Sequence, residues 1–400
     1  MESDPRSRSP RLLVLGAGPA QLGLLEAARR FDLWVAVVDR DPAAPGFRHA
    51  DRRCILSTED EPAIERLVAA LDIDGLIAPG TDWPVAIAAR VAERAALPHP
   101  ISPQTAVLAT NKLRQRERLA EAGIPQPRSW VVGSEDGTPE VDGPVVVKAP
   151  DRQGQKGLSY VADRAGLPAA IETARGAARS GLALVEELVD GPEVTVVGFS
   201  IGGAFTALTV TDRITAPPPA FGVALAHVWP SRAAGGEAAV VDVAARAVSA
   251  LGIANGPSYT QLRVGPDGPQ VIEVAARLGG GHDAELAEAV LGLDVNGLAL
   301  DAALGNELVL TQHEPLVGGA VTRFLVAPPG MLDRVEVPAE ERVRIYREPG
   351  YVFMPLRRGA DRAGAVFVTG SSREDAVDRA ERVAAQVRFH IRDELLEVAT

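Results

Sequence analysis

Two oxygen-bearing side chains, Gln261 and Glu273, flank a turn sequence that predicts a β-hairpin. A hairpin symmetric about Asp267 places them opposite each other, with Cβ atoms roughly 5 Å apart. Arg277 follows on the same side of the second strand. Two facing oxygen ligands with an arginine just beyond are typical of a Mg²⁺–phosphate site. The alternative is an ordinary hairpin that is half exposed to solvent.

The alternation of residue types along both strands supports this register, because one face is apolar and the other is polar. The predicted apolar face carries Leu262, Val264, Ile272 and Val274. The predicted polar face carries Gln261, Arg263, Glu273 and Arg277.

Lysine is rare in this chain. Of the 41 lysine and arginine residues only three are lysines, namely Lys112, Lys148 and Lys156. A lysine acts on phosphate as a compact point charge, whereas an arginine offers a planar fork. Since all three fall in one short part of the chain, we interpret them as phosphate ligands; chance retention is the alternative.

A polar, glycine-containing loop, Asp151–Gly157, joins two predicted strands, Pro144–Ala149 and Leu158–Ala162. No helix follows it, so it is not the strand–helix type of phosphate loop. We predict a mobile flap whose backbone N–H groups and Lys156 face a bound nucleotide. A plain hairpin loop is the alternative.

The elements before these motifs alternate strand and helix, which predicts a small parallel sheet. Gly16 and Gly18 follow the first strand and Asp39 ends the second, as in dinucleotide-binding folds. Gln21 stands where the third glycine of that motif belongs, so a dehydrogenase is the weakest interpretation. Thr81 and Asp82 end a later strand, where an open parallel sheet faces its ligand, and we expect them at the acceptor site.

Composition excludes several classes of protein. The net charge is −12 and the chain has no long basic run, which argues against a nucleic-acid-binding face. No apolar run is long enough to span a bilayer, and residues 1–10 are interpreted as a flexible tail rather than a signal peptide. The single Cys54 favours the cytoplasm. Five histidines, including His227, show no ligand spacing and are interpreted as structural.

Taken together, these residues resemble the ATP-grasp superfamily from about Arg11 to Gly305. The stretch LGAGPAQLGLLEAARR is similar to the start of the purine-biosynthetic carboxylase ATPase. The stretch GGAVTRFLVAPPG is similar to the C-terminal domain of bacterial L-amino-acid (dipeptide) ligases. The combination is specific, although no single motif is.

The resemblance implies an α/β and α+β protein with three domains. We expect a Rossmann-like domain over residues 11–108 and an ATP-grasp domain over 109–308, with a lid at about 124–190. A C-terminal α+β domain, over 309–400, is expected as a separate unit. A homodimer is also expected.

The resemblance also implies a role for each matching residue. Lys112 and Lys148 would contact ATP phosphates, and a flap containing Gln153, Gly154, Lys156, Gly157 and Ser159 would cover them, with Lys156 catalytic. The adenine edge would contact Glu186, Glu187 and Val189, and the ribose hydroxyls would contact Glu193. Glu273 and Gln261 would hold Mg²⁺, with Mn²⁺ as an alternative ion. Arg277 would be catalytic, holding the transferred phosphate or a carboxylate, and Gly279, Gly280 and His282 would shape the acceptor pocket.

Two positions depart from the family pattern. Many members carry a second acid where this chain has Gln261, and more carry asparagine at the position of Ala275. Alanine cannot ligate a metal, so the ions would depend on ATP oxygens and water, which Mg²⁺ normally keeps.

The expected activity is therefore ATP-dependent ligation of a small-molecule carboxylate to an amine. It would form an amide, peptide-like bond through an acyl phosphate, release ADP and phosphate, and use an amino-acid-type substrate. The first alternative is a bicarbonate-activating carboxylase component. The second is a nucleotide-binding regulatory protein without catalysis, for which Ala275 is the argument.

Overall fold

The computed structural model describes residues 8–233, 236–311, 314–339 and 342–392. Most of the predicted N-terminal tail, residues 1–7, lies outside the described residues. In the described part of the chain, no helix has both the length and the apolar character needed to cross a membrane.

The N-terminal sheet is parallel, as predicted from the alternating pattern. Its strands lie in the order β3-β2-β1-β4. They are β1 (Arg11–Leu15), β2 (Trp34–Asp39), β3 (Arg52–Ile55) and β4 (Gly75–Ile77), with helices α1 (Leu22–Arg30), α2 (Glu61–Leu71) and α3 (Asp82–Arg94). Asp39 accepts a hydrogen bond from the backbone N–H of Ala17 (2.8 Å) and so stabilises the first strand–helix turn.

Two short helices lead from this sheet to the rest of the chain: α4 (Pro103–Thr110) and α5 (Lys112–Glu121). Ser102 and Asn111 cap their N-termini by accepting hydrogen bonds from backbone N–H groups. The Asn111 cap fixes where α5 begins, and Lys112 is its first residue.

A second sheet is antiparallel, in the order β5-β8-β6-β7. Its elements are β5 (Ser129–Val132), β6 (Val145–Lys148), β7 (Ser159–Val161), α6 (Leu167–Ala177) and β8 (Ala183–Glu187). Helix α6 packs on one face, around Val147, Ile171 and Val185. The predicted flap connects β6 to β7, and the sheet lies within the range predicted for the lid.

The largest sheet has eight antiparallel strands in the order β13-β12-β9-β10-β11-β14-β18-β16. The first five in chain order are β9 (Glu193–Ile201), β10 (Ala204–Thr215), β11 (Ala224–Trp229), β12 (Gly256–Gly265) and β13 (Gly268–Ala275). The others are β14 (Gly319–Leu325), β16 (Arg342–Ile345) and β18 (Gly364–Gly370). Helix α7 (Glu237–Ala250) covers one end, and α8 (Asp283–Leu291) and α9 (Val295–Leu304) follow β13.

The C-terminal strands differ from the prediction of a separate α+β unit. Strands β14, β18 and β16 extend the central sheet through the β11–β14 pairing, for instance Trp229 with Ala320. A small third sheet joins β15 (Gly330–Glu336), β17 (Val352–Phe353) and β19 (Arg388–Arg392), and helix α10 (Arg373–Gln386) packs on β14 and β18. The domain boundaries stay a prediction.

Candidate active site

A cleft of about 620 Å³ opens between the parallel sheet, the lid sheet and the central sheet. It gathers most of the residues predicted from the sequence. Those on its walls are Thr81, Asp82, Lys112, Lys148, Gln153, Gly154, Lys156, Glu186, Glu187, Val189, Glu193, Gln261, Glu273, Arg277 and Gly280. Because they come from distant parts of the chain, their convergence is a property of the fold.

The central hairpin pairs Gln261 with Glu273, as the sequence predicted. A β-bulge beside Gln261 shifts the register, so that Leu262 pairs with Val271. The prediction that Ile272 faces the core was wrong: Val271 is fully buried in its place and Ile272 lines the cleft. A bulge adds one residue to one strand and exchanges the faces beyond it.

Glu273 lies against the first turn of α5, where Lys112 Nζ approaches its Oε1 at 2.9 Å. Burial alone would raise the pKa of Glu273, but the charge of Lys112 outweighs it and holds the pKa below its ordinary value. Gln261 donates its amide N–H to the Tyr259 hydroxyl (3.2 Å), which leaves its carbonyl oxygen available. The described residues contain no cluster of three or more acidic, histidine or cysteine ligands. Glu273 with Gln261 therefore suits an ion that takes its other ligands from phosphate and water.

Lys148 and Glu186 form a buried ion pair at the lid side of the cleft. Lys148 Nζ lies 2.5 Å from Glu186 Oε2, and Arg116 Nε donates to Glu186 Oε1 at 2.7 Å. Burial opposes ionisation of Glu186, but the charges of Arg116 and Lys148 lower its pKa to about 2. Arg116 was not predicted; it lies in α5 among surface-type residues, and only the fold shows that it is buried.

The flap connects three parts of the protein. Gln153 Oε1 accepts hydrogen bonds from the backbone N–H groups of Asp82 (2.7 Å) and Trp83 (3.0 Å), which begin α3. Gln155 Oε1 accepts one from Gly359 (3.2 Å). Arg179, from the lid, stacks on the Trp83 ring at 3.5 Å. The flap thus lies closed over the cleft.

Arg277 faces the same cleft from the segment after β13. Its Nη2 lies 2.6 Å from Asp82 Oδ1, which joins the central sheet to the N-terminal sheet. Burial disfavours its charge, but Asp82 more than compensates, so the pKa of Arg277 is raised. The Arg277 guanidinium therefore has a fixed orientation and a permanent positive charge at this place in the cleft.

Four residues predicted to be at the site do not line the cleft. Gly157 has a left-handed backbone (φ +71°), and a Cβ there would meet Ala177 at 2.6 Å, so its role is in the geometry of the flap. Ser159 lines a neighbouring cavity instead. Gly279 packs against Asp283 and Tyr259.

His282 is the fourth, and its predicted pocket role was wrong. The ring is buried against the C-terminal strands, with Nε2 2.5 Å from the Tyr346 hydroxyl and Nδ1 3.0 Å from Glu285 Oε1. Arg344 Nη1 donates to the same Glu285 oxygen at 2.8 Å. His282 therefore helps to fasten α8 to β16 and not to hold a substrate.

The wall formed by β10, β11, β12 and the 359–362 turn carries cleft residues that the sequence analysis missed. They are Arg213, His227, Tyr259 and Arg362. His227 was interpreted as structural, because one histidine in an apolar strand carries no spacing signal. Arg213 pairs with Glu193 (2.5 Å), so the carboxylate expected at the ribose also neutralises a buried arginine.

His227 is a neutral ring within this wall. Its Nδ1 lies 3.4 Å from Asp283 Oδ1. A Cβ on Gly281 would lie 2.6 Å from its Nε2, so only glycine allows the chain to pass so close. Burial lowers the pKa of His227 to about 4, although the charge of Asp283 opposes this.

This depressed pKa predicts a pH-dependent stability. The unfolded chain binds a proton at His227 near pH 6.5, whereas the folded chain does so only near pH 4. Stability is therefore lost as the pH falls through this window, by about 3 kcal/mol. Urea unfolding of the wild type and His227→Gln between pH 7 and pH 4 measures it. The stability difference between the two proteins is expected to shift by that amount; parallel profiles would contradict the buried neutral ring.

Residues 323–392 match the family described as L-amino acid ligase C-terminal domain 2. Across its length, the chain is 28% identical over 408 residues to a formate-dependent phosphoribosylglycinamide formyltransferase of Burkholderia vietnamiensis, covering 94% of this chain and 95% of that protein.

Two solved structures are similar over nearly the whole chain. An L-amino acid ligase from Bacillus licheniformis superposes with a TM-score of 0.82 at 22% identity, covering 97% of this chain and 100% of that one. The biotin carboxylase domain of the Hydrogenobacter thermophilus 2-oxoglutarate carboxylase superposes with a TM-score of 0.78 at 16% identity, covering 95% of this chain and 90% of that one. That structure is a dimer with MgADP, ADP and bicarbonate.

These similarities confirm the predicted fold: the chain has the mixed α/β architecture of the ATP-grasp enzymes. The resemblance to L-amino acid ligases and to purine-biosynthetic enzymes is confirmed as well. The similar solved structures are of ligases, synthetases and carboxylases by name, in agreement with the predicted enzyme class, and the sequence relative is a formyltransferase by name.

Proposed function

We propose that this protein is an ATP-dependent carboxylate–amine ligase that forms an amide, peptide-like bond and releases ADP and phosphate. The observation that carries the proposal is the convergence of Lys148, Glu273 and Arg277 on one cleft beneath a closed flap. Phosphoryl transfer needs positioning and charge neutralisation more than covalent chemistry from the protein. These residues supply both.

The lid side of the cleft suits the nucleotide. Lys112 and Lys148 face the cleft beside the hairpin, and the segment Glu186–Val189 offers backbone groups for the adenine edge. Glu193 would take the ribose hydroxyls. Lys156 and Gly154, on the flap, would cover the triphosphate, and the closed flap keeps out the water that would hydrolyse a reactive intermediate.

Glu273 and Gln261 would hold Mg²⁺, which would neutralise charge on the phosphates; Mn²⁺ is the alternative ion. One carboxylate and one amide oxygen fit an ion that keeps several phosphate and water ligands. Ala275 supplies no ligand: it is buried opposite Tyr259. Lys112, which pairs with Glu273, would move toward the phosphates as the ion arrives.

The proposed reaction has two steps. A carboxylate oxygen of the first substrate attacks the γ-phosphorus, the bond to the β-phosphate oxygen breaks, and ADP leaves with the electron pair. The amine nitrogen then attacks the acyl carbon, the carbon–oxygen bond breaks, phosphate leaves with the electron pair, and the proton lost by the amine passes to that phosphate or to water. Arg277 would hold the transferred phosphate between the steps, with Thr81, Asp82 and Gly280 lining the acceptor side.

ADP release in the presence of ATP, Mg²⁺ and mixtures of amino acids tests the proposal. Release should require both a carboxylate and an amine, and a new amide should appear in the mass spectrum. Bicarbonate-dependent release without an amide would instead identify a carboxylase component. ATP binding without release for any acceptor would identify a regulatory protein.

We also propose a cytoplasmic homodimer. The biotin carboxylase domain described above is a dimer, and a cytoplasmic location would give access to ATP. Light scattering coupled to size-exclusion chromatography measures the mass directly, and a single species near the 41.9 kDa of one chain would contradict the dimer.

A further inference from the structure

The flap carries a lysine whose amine has no partner among the described residues. Lys156 is exposed and lines the cleft. Within the part of the chain that the structure describes, its Nζ forms neither a hydrogen bond nor an ion pair. The amine is therefore available to a group bound in the cleft, either as a cation or, when neutral, as a nucleophile.

The other two lysines of the chain are held by carboxylates. Lys112 Nζ lies 2.9 Å from Glu273 Oε1, and although burial opposes its charge, Glu273 raises its pKa. Burial lowers the pKa of Lys148, but its side chain is almost fully buried and its Nζ lies 2.5 Å from Glu186 Oε2. Neither amine can attack another group without first leaving its acid. Lys156 is under no such constraint.

The backbone on both sides of Lys156 is fixed above the acceptor side of the cleft. Gln153 Oε1 accepts a hydrogen bond from the backbone N–H of Asp82 (2.7 Å), and Gln155 Oε1 accepts one from Gly359 (3.2 Å). The carbonyl oxygen of Gly157 accepts one from the backbone N–H of Ala149 (3.0 Å). The closed flap thus places Lys156 over the cleft, and its four-carbon stem leaves the amine free to move.

An acyl phosphate formed in this cleft would meet few nucleophiles when no amine substrate is bound. The closed flap keeps out water. The single cysteine of the chain, Cys54, is buried and does not line the cleft. The Tyr259 hydroxyl does line it, but burial raises its pKa and keeps it protonated. The Lys156 amine has the same chemistry as the proposed acceptor, and confinement beside the acyl carbon gives it a high effective concentration.

We propose that Lys156 is a self-acylation site, modified by the acyl phosphate made in its own cleft when the amine substrate is scarce. This rests on the proposed ligase function and adds a second, slower fate for its intermediate. The neutral Nζ attacks the acyl carbon, the carbon–oxygen bond breaks, and phosphate leaves with the electron pair. The proton lost by the nitrogen passes to that phosphate or to water.

The modification would limit the activity of the enzyme. An amide at Lys156 has no positive charge, so the flap loses its cation toward the triphosphate. An amide is also a poor acyl donor, so the acyl group stays on the chain. Bound amine substrate competes for the same acyl carbon and protects Lys156.

The test incubates the wild type with ATP, Mg²⁺ and single carboxylic acids, with no separate amine added. The acids are the free L-amino acids, their N-acetyl derivatives, formate and acetate. Each acid that supports ADP release is followed by peptide mass spectrometry. One acyl group per chain is expected, on Lys156, with about tenfold or more preference over Lys112 and Lys148 because Lys156 alone is confined beside the acyl carbon without an acid.

A second protein in the same tube shows where the transfer occurs. Glu273→Ala labelled with ¹⁵N keeps Lys156 but is expected not to activate the carboxylate, and its peptides differ in mass from those of the wild type. Glu273→Gln replaces it if the alanine variant does not fold. The adduct should be confined to the wild type. Equal acylation of both proteins would mean that acyl phosphate reacts from solution, which overturns transfer within the cleft.

Lys156→Arg tests the consequence for activity. Arginine keeps the positive charge but is not a nucleophile at neutral pH, because it stays protonated. Incubation with ATP and the acid before an amine is added should lower the later rate of the wild type in proportion to the acylated fraction. Lys156→Arg should form no adduct and lose no rate during that incubation. An equal loss in both proteins would overturn the role of Lys156.

The outcomes separate the inference from its premise. ADP release and amide formation without an adduct on Lys156 would overturn self-acylation and keep the ligase. An adduct mainly on Lys112 or Lys148 would also overturn it, because those amines would then be the more reactive ones. Absence of ADP release with every acid, with or without an added amine, would overturn the ligase itself.

Discussion

Glu273→Ala is expected to lower kcat for ADP release by about 10³-fold or more, the loss found when a pre-arranged electrostatic contact to a transition state is removed. Glu273 is the carboxylate of the hairpin pair, and Gln261 opposite it is uncharged. Without Glu273 the proposed Mg²⁺ would be held by one neutral oxygen from the protein. The measurement is steady-state ADP release at saturating ATP over a range of Mg²⁺ concentrations.

Asp267→Asn is the control, because it removes a carboxylate from the exposed tip of the same hairpin. It should leave the rate within about twofold of the wild type, as expected for a surface substitution. Glu273→Gln separates charge from shape, and should be nearly as slow as the alanine variant. A rate for Glu273→Ala within tenfold of the wild type would remove Glu273 from the metal site.

Glu186→Gln is expected to reduce the free energy of unfolding by about 3–5 kcal/mol, because two buried cations lose their counter-charge. Lys148 and Arg116 both contact the Glu186 carboxylate, which is fully buried. Glutamine retains the shape but has no charge. Urea denaturation, followed by circular dichroism at pH 7, measures the loss.

Glu187→Gln offers a control one residue along the same strand. Its side chain is 38% exposed, and Arg128 approaches it only at 3.8 Å, so its loss should cost under about 1 kcal/mol. Equal destabilisation by the two substitutions would show that the position on β8, and not the buried charge triad, causes the effect.

The local part of the site could be predicted from sequence. The turn between β12 and β13 is short, and short turns fix register within a few residues. That turn pairs Gly265 with Gly268 and would by itself place Ile272 opposite Gln261, so the hairpin is encoded locally but the pairing of Gln261 with Glu273 depends on the bulge. The flap between β6 and β7 follows in the same way from its polar, glycine-containing sequence. The rarity of lysine in the chain identified Lys112 and Lys148 as candidate phosphate ligands, independently of any predicted helix or strand.

The errors arose where tertiary contacts decide the register of a strand or the direction of a side chain. A bulge exchanged the faces on which Val271 and Ile272 lie, and no residue type in this stretch predicts a bulge. His282 was predicted beside Arg277, but its left-handed backbone turns the ring toward the C-terminal strands. Sequence proximity to a functional residue does not give side-chain direction.

Other residues were missed because burial of charge cannot be seen in a single sequence. Arg362 and Arg116 are two among the many arginines of the chain, and surface arginines are common. Arg116 becomes significant only because the fold buries it, and Arg362 only because the fold places it in the cleft. His227 is similar, since its neutral state depends on the surrounding elements.

The continuous central sheet has a consequence for recombining this protein with related ligases. If the chain were cut between α9 and β14, strand β11 would expose an unpaired edge, and such edges promote aggregation. The C-terminal segment therefore cannot be exchanged as an independent module. A functional chimera must preserve the β11–β14 register, Ala226 with Arg323 through Trp229 with Ala320. The same ladder fixes two parts of the cleft wall relative to each other, because the strand that bears His227 and the strand whose Phe324 contacts Arg362 are neighbours in it.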